Sequence, residues 1–255
     1  KGAMPANYGG RLSSVIDVQM KEGNNKKFQM EGGLGLISSR LTLQAPIQKN
    51  KSSFLISGRR TYAFDIAQPA LKKTDFAGTN YFFYDINLKA NYIISDKSRL
   101  YISGYFGRDV FVYNSKENQT NVKIPWGNIT STIRYNHIIS PKLFMNVSFI
   151  FNDYKFSFTG KQTDFSFKAN SGVRDYNVKI DFDYYLSNKH LLKFGYDYTH
   201  HRMTPTLASA TSDTTEFKTD KISKKYSHEM AWYVQHEWEI SKKVKLDMGF
   251  RLSFF

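Results

Sequence analysis

The chain contains no cysteine and no long apolar run. Without cysteine among its 255 residues, it can form neither a disulfide scaffold nor a thiolate metal site. No run of about 18 apolar residues occurs, which excludes a membrane-spanning helix. The first residues lack the charged start and apolar segment of a signal peptide. The chain is therefore either mature or a piece of a longer protein.

Aromatic residues are abundant instead. Phe, Tyr and Trp together make up 16% of the chain. Aromatic side chains favour the half-buried surface of a β-sheet, so the composition predicts an all-β protein.

The net charge of +14 raises the question of a nucleic-acid partner. A nucleic-acid footprint needs basic residues clustered on one element. Here Lys and Arg are scattered in short pairs, so we expect no nucleic-acid partner. A basic surface that meets water and anionic lipid headgroups accounts for the charge.

Hydrophobicity alternates with a period of two over most of the sequence. In residues 175–184 every even position is apolar or aromatic, and every odd position is charged or an amide. Such alternation predicts a strand with one apolar and one polar face, and no helix is predicted. Eleven strands are predicted, at 27–36, 40–46, 53–62, 82–94, 98–113, 127–139, 142–158, 174–186, 190–203, 228–240 and 244–255.

Short and long connections alternate along the chain. Four strands end in an apolar residue followed by Ser, and the next strand starts after one or two further polar residues; these Ser are Ser95, Ser140, Ser187 and Ser241. They indicate tight hairpins. Longer polar segments at 63–80, 114–125, 159–171 and 205–226 separate them. An up-and-down sheet would then carry tight turns on one rim and long loops on the other.

The predicted strands are long, about 11–15 residues, whereas strands of soluble sheets usually have about 5–6. Long strands with unequal rims are typical of an antiparallel up-and-down transmembrane β-barrel of the bacterial outer membrane. Its apolar face would meet lipid, and its polar face would line a water-filled or plugged lumen. A soluble sheet with one wet face remains the alternative. The expected lumen-facing residues are Asp85, Asn87, Lys89, Asp175, Asn177, Lys179, Asp181, Asp183, Lys245, Asp247 and Arg251.

Two aromatic residues are expected at the membrane interface. Tyr84 and Trp126 lie where predicted loops meet strands, as the aromatic belts of barrels do.

No catalytic, cofactor or metal site is predicted, and we do not expect an enzyme. The adjacent His200 and His201 would face opposite sides of a strand and could not share a metal ion. The paired carboxylates Asp181 and Asp183 share one face, where we interpret them as part of a wet lumen.

The N-terminal residues differ from the rest. They combine a glycine turn, a short apolar strand and a basic residue after that strand. The residues are Tyr8, Gly9, Gly10, Val15, Ile16, Asp17, Val18, Lys21 and Gly23. This segment resembles the end of the plug domain of TonB-dependent outer-membrane receptors, in the variant found in Bacteroidetes. Residues 35–43 and 56–62 are similar to the first barrel strands of that group.

The resemblance implies a division of the chain. Residues 1–24 would be the C-terminal end of the plug, and residues 25–255 the N-terminal portion of the barrel. Eleven strands are half of the about 22 in a barrel that surrounds a plug. The chain would then be a fragment of a transporter for energised uptake of a scarce nutrient, such as an iron chelate, a glycan, a peptide or a vitamin.

The resemblance also implies partners. These are outer-membrane lipid, the remaining plug and closing strands of the same transporter, and TonB through segments outside this chain. A surface lipoprotein is a further partner that it allows. Ligand contacts would come from the long loops and the plug. The alternatives are a small complete barrel, acting as a porin or adhesin, and a soluble β-sheet binding protein.

Overall fold

A computed structural model describes residues 4–9, 14–74, 76–115, 117, 119–212, 215–218 and 223–255. Nearly all of its regular structure is one antiparallel sheet. The elements are β1 (Gln29–Leu34), β2 (Ser38–Gln48), β3 (Ser52–Thr61), α1 (Ala63–Leu71), β4 (Thr79–Ser95), β5 (Ser98–Ser115), β6 (Thr120–Ser140), β7 (Leu143–Gln162), β8 (Phe165–Ser187), β9 (His190–Ser212), β10 (Thr215–Lys218), β11 (Lys225–Ser241) and β12 (Val244–Phe254).

The strands follow one another in chain order, each paired with the next. The only departure is the four-residue β10, which pairs with β9 beside the path that runs from β9 to β11. The prediction of an all-β, up-and-down sheet is confirmed, with eleven strands in the continuous order of the sheet. Within the described residues β1 and β12 do not pair with each other, so the sheet is open at both edges.

The repeated serines have a structural role in the tight hairpins. In each, the Ser hydroxyl accepts a hydrogen bond from the backbone N–H two residues later, and a register shift accompanies it. This is the turn that Ser favours through its own side chain. The bonds measure 3.2–3.3 Å and join Lys97 to Ser95, Lys142 to Ser140, Lys189 to Ser187, and Lys243 to Ser241.

The strands are longer than predicted. β4 has 17 residues, and β8 and β9 have 23 each. Most of the segments 114–125, 159–171 and 205–226, predicted to be loops, are instead the outer ends of strands. The alternation fades there because side chains on both faces of a projecting hairpin meet water, while the backbone ladder continues unchanged.

A helix was not predicted, yet α1 occupies part of the 63–80 segment. Its nine residues include Pro69, and it is too short to show a helical period. The helix is held against β4: Gln68 donates a hydrogen bond to the Thr79 carbonyl at 2.6 Å, and the rings of Phe64 and Tyr81 meet edge to face. Tertiary contacts, not propensity, therefore stabilise it.

The sheet has no conventional apolar core. Among the described residues the buried apolar side chains are only Ala6, Val110, Ala169, Ala231 and Tyr233. Large apolar residues are exposed along one face of most of the long strands, as at Ile133 and Trp232, each 48% exposed. An exposed apolar face of this extent marks a surface that another apolar phase covers.

Candidate functional site: the polar face and the N-terminal segment

The register of the sheet brings the predicted lumen-facing residues to one face. Residues directly opposite each other in an antiparallel pair point to the same side. From Asp85, one row runs through Gly107, Asn128 and Tyr154 to Val173, which shares its face with alternate residues of β8. This face holds Asp85, Asn87, Lys89, Asp175, Asn177, Lys179, Asp181 and Asp183.

The same face continues to the last strand. Asp181 lies opposite Gly195 of β9, which lies opposite Tyr233 of β11, and Tyr233 lies opposite Arg251 of β12. Lys245 and Asp247 alternate with Arg251 and share its side. All eleven predicted residues therefore lie on one face, which we call the polar face.

Charges on the polar face are paired between neighbouring strands. His201 Nδ1 lies 2.8 Å from a carboxylate oxygen of Asp175, and its Nε2 lies 3.6 Å from Glu229. Glu237 accepts a hydrogen bond from Lys245 at 2.7 Å. Such cross-strand pairs fix the register and neutralise charges that a dry interior could not hold.

The start of the N-terminal segment lies against the polar face. The backbone N–H of Ala6 donates to Gln235 Oε1 at 2.9 Å, in a buried contact. The carbonyl of Asn7 accepts from Lys179 Nζ at 3.4 Å, and the Ala6 carbonyl accepts from Arg251 at 3.5 Å. Lys179 also lies 5.6 Å from the centre of the Tyr8 ring. The face thus holds the segment by its backbone.

The end of the segment lies against the polar face about half the sheet away. Lys89 Nζ donates to the carbonyl of Met20 at 2.7 Å, and the Ser53 hydroxyl donates to that of Gly23 at 2.8 Å. Asn91 supports Ser53 with a further hydrogen bond at 2.8 Å. A Cβ on Gly23 would overlap the Phe54 carbonyl, so only glycine fits there.

Removing the Gln235 amide should break its hydrogen bond with the Ala6 N–H. We expect Gln235→Leu to accelerate hydrogen exchange at the Ala6 N–H by roughly fivefold, because a hydrogen bond worth about 1 kcal/mol is lost. Exchange mass spectrometry of the peptide that covers residues 4–9 measures it. Thr132→Val, elsewhere on the polar face, is the control and should leave this peptide unchanged. Equal exchange in both variants would contradict the contact.

The middle of the predicted junction motif does not form the expected strand. Residues 14–24 pair with no strand of the described chain, and Ile16 and Val18 are 86% and 80% exposed. A strand is stabilised by hydrogen bonds to a neighbouring strand, and alternating hydrophobicity alone does not stabilise an isolated one. Tyr8 and Gly9 lie in the described part, whereas Gly10 lies outside the described residues.

The two predicted belt aromatics lie on opposite faces, so they cannot form one belt. Tyr84 is opposite Arg108 on the apolar side, whereas Trp126 is opposite Asp109 and stacks on Tyr81 at 6.1 Å on the polar side. For Trp126 the belt prediction is wrong, because the strand continues past it and its register fixes its direction. Tyr84 keeps the direction that a belt requires.

The two adjacent histidines do point apart. His200 lies among Tyr176 and His228 on the apolar side, while His201 meets Asp175 on the polar side. Within the described residues no group of three or more His, Cys, Asp or Glu is placed to hold a metal ion.

Sequence reasoning missed some of the residues that hold the segment. Gln235 stood on the polar side of the β11 alternation, so its direction could have been predicted, but its contact with Ala6 spans 229 positions. Ser53 carried no signal at all. Long-range contacts of this kind are invisible to periodicity, which reports only the direction of a side chain.

No helix in the described parts of the chain is long and apolar enough to cross a membrane. No protein-family model and no curated protein matches the sequence. Solved structures do match its fold. A copper transporter aligns with a TM-score of 0.66, 10% identity, and coverage of 91% of this chain and 38% of that one.

Two further receptors give similar results. A siderophore receptor from Acinetobacter baumannii aligns with a TM-score of 0.62 at 12% identity, covering 91% of this chain and 43% of its own. The ferric yersiniabactin uptake receptor from Yersinia pestis aligns with a TM-score of 0.60 at 10% identity, covering 87% and 40%. The chain spans about two fifths of the length of these proteins.

These neighbours are TonB-dependent receptors of the Gram-negative outer membrane, whose barrels enclose a plug. At such low identity the likeness shows the fold. The chain therefore has the fold of part of an outer-membrane receptor barrel, as its strand pattern predicted.

Proposed function

We propose that the chain is the barrel wall of an outer-membrane TonB-dependent transporter that takes up a scarce nutrient with energy from the inner membrane. The observation that carries the proposal is the two-faced sheet. Its apolar face carries exposed large side chains on most strands, while its polar face binds the chain's own N-terminal segment. A barrel in lipid with a plug inside requires this arrangement, and a soluble sheet would have to cover the apolar face.

The division of the chain follows from the same contacts. Residues 1–24 would be the end of a plug and residues 25–255 the first part of the barrel. Val18 and Ile16 are exposed, as expected of a strand whose partner lies in the rest of the plug. The open edges at β1 and β12 would pair with further strands, because unpaired backbone groups are costly in lipid.

The substrate class is supported by the neighbours. Their names describe receptors for ferric siderophores and a transporter for copper. Of the expected nutrients, an iron chelate therefore has the most support. TonB, and a surface lipoprotein where one is present, would act on parts of the transporter outside this chain.

Fractionation of the native polypeptide tests the proposal. We expect it in the detergent-extracted outer membrane, with a mass about two and a half times 29.6 kDa and a heat-dependent mobility on gels. Loss of its gene should impair growth when the chelated nutrient limits. A membrane polypeptide of about 29.6 kDa would instead indicate a small complete barrel. Recovery in the aqueous fraction would indicate a soluble binding protein.

A further inference from the structure

Four basic side chains meet in one groove on the outward face of the sheet. Arg108 of β5, Lys155 of β7, Arg174 of β8 and Arg202 of β9 all line it. Arg174 is opposite Arg202, and both lie on the side away from the N-terminal segment. The groove has a volume of about 530 Å³.

Two of the four cations share one carboxylate within the chain. Asp153, with its side chain only 9% exposed, binds Arg174 at 2.8 Å and Lys155 at 3.2 Å. Among the described residues Arg108 and Arg202 have no hydrogen-bond or ion-pair partner. The groove therefore keeps a net positive charge, and two guanidinium groups have their donors available for an anion.

Apolar surface adjoins this charge on the side toward the tight turns. Phe106 and Ile129 also line the groove. Gly127 lies between Arg108 and Lys155 in the register and carries no side chain, so no side chain stands between the two cations. A ligand that fits must combine an anionic head with an apolar tail.

The groove lies at one border of the apolar band. In β8 the outward positions from Tyr184 to Tyr176 are all apolar or aromatic, and Arg174 is the next one. The ten residue steps from Tyr184 to Arg174 span about 23 Å along the membrane normal, at about 3.3 Å per residue and a tilt near 45°. The apolar band of a barrel is about 25 Å tall. Arg174 therefore reaches the level of lipid headgroups.

We propose that this groove binds the phosphate of an anionic lipid from the leaflet on the side of the long hairpins. Arg108 and Arg202 would donate to the phosphate oxygens, and Phe106 and Ile129 would contact an acyl chain. Asp153 holds Lys155 and Arg174 in place. The inference rests on the proposed function, because only an inserted barrel presents this face to lipid.

The test compares lipid retention by the full native transporter and its variants in neutral detergent. The probes are diphosphoryl lipid A, a phosphate-free acyl glycolipid of equal chain length, and inorganic phosphate, with bound molecules counted by native mass spectrometry. We expect Arg108→Gln with Arg202→Gln to weaken retention of lipid A by about tenfold or more, since two charge-assisted contacts are lost. Lys replacements should retain less than Arg, because ammonium groups cannot bind phosphate in bidentate fashion.

The control is a double substitution in the tight hairpins, Lys97→Gln with Lys142→Gln, which removes the same charge on the other rim. It should leave retention unchanged. Equal loss in both double variants, equal retention of the phosphate-free lipid, or tight binding of inorganic phosphate alone would overturn the lipid site. All three leave the inserted barrel intact, whereas a polypeptide that never enters the membrane fraction overturns barrel and lipid site together.

Discussion

Arginine in place of Ile180 is expected to destabilise the inserted barrel by about 2–4 kcal/mol, the cost of a cation on the lipid face near the midplane. Ile180 lies within the outward apolar run of β8, opposite Val147 and Tyr196. Neither neighbour offers a countercharge, and the nearest headgroups lie at the ends of the run. Urea unfolding of the native polypeptide in lipid vesicles, followed by gel mobility, measures the change.

The matched control places the same charge on the polar face. Ser253 lies opposite Ala231 on that face, so Ser253→Arg should cost less than about 1 kcal/mol. Asn177 is a poor control despite its direction, because it donates hydrogen bonds to Asp197 at 2.6 Å and Thr199 at 2.8 Å. Equal destabilisation by Ile180→Arg and Ser253→Arg would contradict the assignment of the two faces.

A similar charge nearer a rim should matter less. Leu246 also faces outward, but it lies only two residues after β12 begins at Val244. A cation at such a depth reaches the headgroups, and its cost falls to about 0–1 kcal/mol. A larger destabilisation at Ile180 than at Leu246 would indicate that lipid covers this face, because a protein interface would not make the cost of a charge depend on membrane depth.

The sequence predicts the direction of side chains well in this chain because the side-chain period of a strand is two. From alternation alone, eleven polar residues were assigned to one face, and the register places Asp85 and Arg251 on that face although six strands of the sheet lie between β4 and β12. The hairpins were predictable for a local reason as well, since the hydroxyl of Ser187 bonds the backbone two residues on.

Features that depend on distant partners could not be predicted. Trp126 was expected in an interfacial aromatic belt at the start of a strand, but β6 begins six residues earlier, at Thr120, and its register turns the side chain to the polar face. The short helix α1 exists because Gln68 and Phe64 contact β4. The expected strand at Val15–Val18 does not form because no strand among the described residues pairs with it. Each error arises where tertiary contact overrides local pattern.

Removal of the Arg59 guanidinium is the second substitution from which we expect a large loss of stability. Asp85 has a side chain only 8% exposed, and Arg59 binds it at 2.8 Å from the neighbouring strand. We expect Arg59→Met to destabilise the barrel by about 3 kcal/mol, the lower end for breaking a buried pair, because Arg59 itself is half-exposed. The same unfolding assay in vesicles measures it.

A double-mutant cycle separates the ion pair from the packing of Arg59 on the Phe83 ring, whose centre lies 4.8 Å from the guanidinium carbon. Asp85→Asn alone removes the buried charge and keeps Arg59 partly solvated, so its cost should be smaller. In the double variant no carboxylate is left unpaired, and most of the loss caused by Arg59→Met should be recovered. Additive losses would instead show that Arg59 acts through the aromatic contact, and that the charge of Asp85 is satisfied by water in an open lumen.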